Sequence, residues 1–262
     1  MIEHNFKKKF GQNFLQDNNI IKKIANICNT NNDDLIIEVG PGSGALTEEL
    51  VKKSKVLAYE IDTDLKDYLI DKFSNNEIDF IFDDFLNRNI YQDLANYKYN
   101  NLYVIANLPY YITTPIINKI IEEKINVNKM VLMVQKEVGD RFSAKVGTKD
   151  YSSITVFLNY YFDVKKEFIV SRNVFYPKPN VDSIILSFTK KEKNNKLLNE
   201  EMFFKLVKDS FKQKRKTLKN NLKEYDFSKV EKVLIDNNLP VDIRAENLSI
   251  DLFIEISNKL SE

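Results

Sequence analysis

Leu35-Ile36-Ile37-Glu38-Val39 is an apolar run interrupted by a single acid, and Gly40-Pro41-Gly42-Ser43-Gly44 follows it without a spacer. The run reads as a buried strand. Ala45-Leu46-Thr47-Glu48-Glu49-Leu50 then reads as a helix. Strand, glycine-rich turn and helix in that order form the first unit of a nucleotide-binding α/β fold. The glycines let the backbone approach a ligand closely, and the helix N-terminus offers N–H donors. Glu38, just ahead of the turn, strengthens the assignment. No Gly-Lys-Ser/Thr follows, so the turn is not a P-loop. The third glycine comes two residues after the second, which also departs from the dinucleotide fingerprint.

The next three strands end in the same suggestive way. Lys55–Tyr59 reads as the second strand and runs into Glu60, 20 residues beyond Gly40. An acid at that point can accept both ribose hydroxyls of a nucleoside. A helix over about 64–73 leads to a third strand, Ile78–Phe82, closed by Asp83-Asp84-Phe85. An Asp at this tip can accept from the exocyclic amine of an adenine, and either Asp can serve. The fourth strand, Leu102–Ala106, runs into Asn107-Leu108-Pro109-Tyr110. That corner presents a side-chain amide, a backbone carbonyl and a flat ring at one point, which suits a planar amine such as adenine N6. All four strand ends fall on the C-terminal edge of one parallel sheet, where open α/β folds bind ligands.

The rest of the chain extends the pattern. Asp17 is a candidate N-cap for a helix over about 18–29, and Thr113 or Thr114 for the next helix, with Pro115 in its first turn. Lys129–Val134 reads as a fifth strand, Gln135–Phe142 as a helix start, and a helix lies near 151–161. Asp163–Val170 and Asp182–Thr189 read as the last two strands. The prolines of the intervening Phe175-Tyr176-Pro177-Lys178-Pro179 loop hold it extended, so that it can carry Phe175 to the mouth of the site. After the polar linker Lys190–Lys196 the pattern is helical throughout, over about 199–212, 214–222, 227–237 and 247–260. The expectation is a catalytic α/β domain over 1–189 and a small helical domain over 190–262.

Composition excludes several chemistries. One Cys (Cys28) permits no intramolecular disulfide and no Cys-based metal cluster, and one His (His4) makes a zinc site or a His-based triad unexpected, so no metal is expected. No run of about 18 apolar residues and no signal-peptide pattern occur, which makes the cytoplasm the expected location and a membrane role unexpected. Net charge is only +1, but its distribution is uneven. Residues 190–262 hold 16 Lys and Arg against 13 Asp and Glu. Phe211–Lys223 contains Lys212, Lys214, Arg215, Lys216, Lys219 and Lys223 with no acid, and the start carries Lys7-Lys8-Lys9. Local basic clusters on a near-neutral chain fit a polyanion footprint.

These motifs together resemble the ribosomal RNA adenine N6,N6-dimethyltransferase family, above all its bacterial small-subunit (16S) branch, from about Lys8 to Leu260. The resemblance rests on Lys9-Phe10-Gly11-Gln12-Asn13-Phe14-Leu15, Glu38–Thr47, Asn107–Tyr110, Gln135–Val138, Phe175–Ser183, Arg215–Leu222 and Arg244–Leu248, in the family's order. It implies a Rossmann-like class I methyltransferase with a seven-stranded, mostly parallel sheet containing one antiparallel strand, plus a helical C-terminal domain. It implies S-adenosylmethionine as methyl donor, bound by Asn13, Leu15, Gly40, Gly42, Glu60, Asp84 and Asn107. Asn107, Leu108 and Tyr110 would be catalytic, Tyr110 and Phe175 would stack on the target base, and Lys7, Lys8, Lys9, Arg141, Lys212, Lys214, Arg215, Lys216 and Lys219 would contact RNA. The implied partner is 16S rRNA in the small ribosomal subunit or its precursor, met by a monomer. Tyr111, where many members carry Asn, leaves the pocket wall open. Two alternatives are a 23S rRNA methyltransferase of the antibiotic-resistance kind and a non-catalytic RNA-binding assembly factor. Arg215–Leu222 and Arg244–Leu248 argue against the first, and intact Gly40, Glu60, Asp84 and Asn107 against the second.

Overall fold

The computed structural model describes residues 13–107, 112–192 and 196–262. In chain order its strands are β1 (Phe14–Leu15), β2 (Leu35–Val39), β3 (Lys55–Tyr59), β4 (Ile78–Ile81), β5 (Leu102–Asn107), β6 (Lys129–Gln135), β7 (Phe162–Val170), β8 (Phe175–Tyr176) and β9 (Ser183–Lys190). The helices are α1 (Asn18–Ala25), α2 (Thr47–Leu50), α3 (Lys66–Lys72), α4 (Ile90–Leu94), α5 (Thr113–Glu122), α6 (Lys136–Phe142), α7 (Ser153–Tyr161), α8 (Glu200–Ser210), α9 (Leu218–Asn221), α10 (Phe227–Asp236) and α11 (Ile250–Ser261).

Seven strands form one sheet in the order β4-β3-β2-β5-β6-β9-β7. β2 to β6 pair in parallel and β9 runs antiparallel to β6, as the resemblance implied. Every residue of β2 is buried, which explains its apolar character on both faces, Glu38 apart. The chain builds outward from β2 through β3 to β4, then returns to lay β5 on the other side of β2. Strand order therefore reverses between β2 and β5, and a crevice opens there at their C-terminal ends. The register Glu38↔Ile105 sets the end of β2 beside the end of β5.

The chain divides into two compact units. The first is Met1–Gly139 with Lys165–Lys190, and its main apolar cluster includes Ile21, Ile24, Ile36, Val56, Ile105 and Ile185. The second is Asp140–Val164 with Lys191–Glu262. Its cluster unites Phe203, Leu206, Val230, Leu234 and Phe253 with Tyr151 and Val156. The break at Lys190 lies where composition changes, but 140–164, which sequence alone grouped with the first domain, clusters with the C-terminal helices. The reason is side-chain burial: Tyr151 and Val156 complete that core, and the Tyr151 hydroxyl donates to the Leu248 carbonyl at 3.1 Å.

Three local differences from expectation have clear causes. The helix expected over 18–29 ends at Ala25, although Asp17 does cap it, its side chain accepting from the N–H groups of Asn19 and Ile20. The helix expected over 214–222 shrinks to Leu218–Asn221, because Thr217 caps Asn220 and residues 211–216 form a turn. A two-stranded antiparallel ribbon, Phe14↔Tyr176 and Leu15↔Phe175, was not expected, since two-residue strands carry no periodicity. Among the described residues, no helix is long and apolar enough to cross a membrane.

Candidate active site

The crevice at the switch point holds a cavity of about 350 Å³. Its wall contains Asn13, Leu15, Gly40, Gly42, Glu60, Asp84, Asn107 and Phe175, so every described residue expected to hold the donor or the base meets in one place. Leu108 and Tyr110, with Pro109 and Tyr111, lie outside the described residues, as do Lys7, Lys8 and Lys9.

The glycine turn builds one side. Gly40 has φ 74°, and a Cβ there would meet nothing within 4 Å, so its bare face borders open space. Gly42 has φ 57°, and a Cβ would stand 2.8 Å from Cε1 of Phe14. The ring of β1 thus covers the turn at a distance only glycine permits. The Gly42 N–H donates to Glu60 Oε2 at 2.9 Å, and the Asp62 N–H donates to Oε1 at 2.8 Å. Glu60 therefore ties the turn after β2 to the end of β3 while facing the cavity. A carboxylate has about four acceptor sites, so capacity remains for a ligand donor. Burial raises its carboxyl above the ordinary range, against the N–H donors of Asp62 and Gly42, which favour the charged form.

At the tip of β4, Asp84 lines the cavity, as does Asp83. One Asp84 oxygen accepts from Leu86 N–H at 2.9 Å, which fixes the turn that carries it. Asp83 is exposed, 3.5 Å from Arg88 Nη1, and Arg88 also pairs with Asp93. Asn107 closes β5, level with Met133 of β6. Phe175 lies in β8 and is only 5% exposed, in the same apolar cluster as Leu15 and Ile21. The expected projection of its ring from an extended loop is thus replaced by a ring set into the cavity wall, because pairing with Leu15 draws it inward.

Sequence reasoning missed several wall residues. Ile61, 44% exposed, places an apolar side chain directly after Glu60. Phe14, Tyr59, Phe85, Pro115 and Ile116 add further apolar surface. The apolar residue beside the strand-end acid was the one readable signal. The wall holds the carboxyl groups of Glu38, Glu60, Asp83 and Asp84, and among its described residues no Lys, Arg or His. A cavity of this size, mostly apolar with a few convergent acids, suits a small ligand that carries positive charge.

The second unit presents the basic residues. Arg141, Lys212, Lys214, Arg215, Lys216 and Lys219 are all exposed. Several have internal duties as well: Lys212 pairs with the buried Asp209 at 2.9 Å, Lys214 donates to the Lys149 carbonyl, and Lys219 Nζ lies over the Phe227 ring, 5.4 Å from its centroid. The turn that displays them is clamped by Asn221, whose amide donates to the Ser210 and Gln213 carbonyls and accepts from Gln213 N–H.

The strand order, the single antiparallel strand and the acidic cavity at the switch point define a Rossmann-like class I methyltransferase. The crystal structure of a dimethyladenosine transferase from Plasmodium falciparum matches with a TM-score of 0.77 at 25% identity, over 93% of this chain and 95% of that one. That of the 23S rRNA methyltransferase ErmE shares the fold at a TM-score of 0.77 and 24% identity, over 95% of this chain and 100% of its own. The profile of the family described as ribosomal RNA adenine dimethylase matches residues 3–262, and the chain belongs to that family. A ribosomal RNA small subunit methyltransferase A of Aster yellows witches'-broom phytoplasma is 42% identical over 267 residues, covering 98% of this chain and 97% of its own. Its namesake from Streptococcus gordonii is 43% identical over 267 residues, covering 97% and 92%.

Proposed function

We propose that this protein transfers methyl groups from S-adenosylmethionine to N6 of two adjacent adenosines in a hairpin loop near the 3′ end of 16S rRNA, in the small subunit or its precursor. The observation that carries this reading is the convergence of Asn13, Gly40, Glu60, Asp84 and Asn107 on one acidic cavity at the switch point. Family membership and small-subunit relatives support the substrate.

When bound, S-adenosylmethionine supplies an electrophilic methyl group on a cationic sulfur. The chain's own residues do the rest. Gly40 leaves space for the methionine part, Glu60 accepts from the ribose hydroxyls, and Asp84 accepts from the adenine amine of the donor. The target adenine N6 is a poor nucleophile because its lone pair is delocalised into the ring. The Asn107 side-chain oxygen and the Leu108 carbonyl accept its two hydrogens. This favours a pyramidal nitrogen aimed along the transfer line. No strong base is required, since the alkylated nitrogen loses its proton readily. A base in structured RNA must leave its stack to reach the cavity, and Tyr110 and Phe175 are the rings proposed to hold it. The exposed cations of the second unit, with Lys7–Lys9, are proposed to hold the RNA backbone.

The test is mass mapping of rRNA after purified small and large subunits lacking the marks are treated with the protein and donor. Two dimethyladenosines in 16S rRNA are expected. Methylation of large-subunit rRNA alone would overturn the reading.

A further inference from the structure

The proposed function uses Glu60 and Asp84 but leaves one buried acid in the same wall without a role. Glu38, near the end of the central strand β2, is 1% exposed and lines the cavity. Its Oε2 accepts from Thr47 Oγ1 of α2 at 2.7 Å, which locks the side chain between strand and helix. Among the described residues of the wall there is no Lys, Arg or His to compensate it. The charged group acting on it is the equally buried Glu60 at the end of β3, and the tip of β4 adds Asp83 and Asp84 to the wall. β5 contributes the uncharged Asn107, α1 contributes Ile21 and Ile24, and α5 contributes Pro115 and Ile116. Two buried carboxyl groups sharing one cavity without a counter-ion cannot both ionise cheaply.

We propose that Glu38 holds a proton while the cavity is free of cations and releases it to solvent when the cationic donor enters, its carboxylate then serving as the donor's counter-charge. This rests on the reading of the cavity as a donor site. The carboxyl is pushed up to about 8 by its burial and further by Glu60, against the Thr47 hydrogen bond, so it is neutral at pH 7 without a ligand. A positive charge brought into a low-dielectric cavity favours the ionised form strongly. Donor binding at neutral pH is therefore proton-linked, and Glu38 is a positioning residue for the donor.

Calorimetry of S-adenosylmethionine binding in buffers of different ionisation enthalpy counts the protons released. An acid titrating at about 8 is almost wholly protonated at pH 6, so at that pH the wild-type protein is expected to release close to one proton per donor. Donor affinity is expected to rise about tenfold per pH unit from 6 to 7 and level off above 8. Glu38→Gln keeps the shape and the Thr47 hydrogen bond and is expected to lose this release. At pH 6 the free donor's own α-amino group, ordinarily titrating at about 7.7–8.0, is already protonated, so the difference between the two proteins is the measurement. Thr47→Val removes the bond that favours the anion, and the linkage should move to higher pH. A parallel titration with S-adenosylhomocysteine identifies the partner cation: release marks the ammonium, and no release marks the sulfonium. Donor binding without proton release, or with equal release in Glu38→Gln, overturns the inference. Absence of donor binding overturns the donor-site reading and this inference with it.

Discussion

Single residues set the chemistry of the cavity. Glu60→Ala removes a carboxylate that is at once the proposed ribose acceptor and the tie between the Gly42 and Asp62 N–H groups. Charge-assisted hydrogen bonds are worth about 1.5–3 kcal/mol, so donor affinity should fall roughly 10- to 100-fold in calorimetry. Asn107→Ala should leave donor affinity within about threefold and cut methyl transfer by about 10²–10³, the scale of losing one oriented polar group. Equal loss of both would remove Asn107 from the acceptor side. Gly42→Ala places a Cβ at φ 57° and against Phe14, at a backbone cost of about 1–2 kcal/mol, so thermal melting should fall by several degrees together with donor affinity. Glu38 also makes ligand-free stability pH-dependent. Its folded-state pKa is raised from 4.5 to about 8, so the folded form holds the proton more tightly. That contribution is full below about 4.5 and is lost as pH rises to about 8. Glu38→Gln should therefore raise the melting temperature at pH 8 and change it little at pH 4.5.

Elements decide how such residues are presented. The sequence around Lys214 suggested a continuous helix, which would spread its cations around a cylinder. Thr217 instead starts a one-turn helix, and Asn221 folds the preceding residues back onto Ser210. Short polar side chains that bond to backbone compete with helix in this way, and periodicity does not register them. The result is a turn that displays Arg215 and Lys216. Reversing Lys214, Arg215 and Lys216 to Glu should weaken small-subunit binding, lower the slope of log affinity against log salt by about 2 to 3, and leave donor affinity unchanged. The β1–β8 ribbon makes the same point for the N-terminal segment. It sets Leu15 against Phe175 and leaves Tyr176 exposed, an alignment between residues far apart in the chain.

At the level of the whole molecule, burial draws a boundary that composition could not. Residues 140–164 precede β9 in the chain yet supply Tyr151 and Val156 to the helical core. A fragment of residues 191–262 should therefore lack cooperative melting and a dispersed amide spectrum, while joining 140–164 to it through a short linker should restore both. By itself the sequence determined the sheet, the glycine turn and the four strand ends. Strand propensity, apolar runs and turn glycines are local, and parallel α/β connection rules leave few ways to arrange them. It also named Gly40, Glu60, the Asp83–Asp84 pair and Asn107, because ligands of such sheets bind at strand ends, while Asn13 and Leu15 came from the family resemblance. Only the tertiary structure decided that Phe175 is buried in the wall, that Phe14 and Ile61 join it, and that Asn221 shapes the basic turn. It alone showed that Glu38 and Glu60 face one space whose described wall holds no Lys, Arg or His. Those features depend on the spacing of atoms remote in sequence, and desolvation of a carboxyl group is a property of everything packed around it.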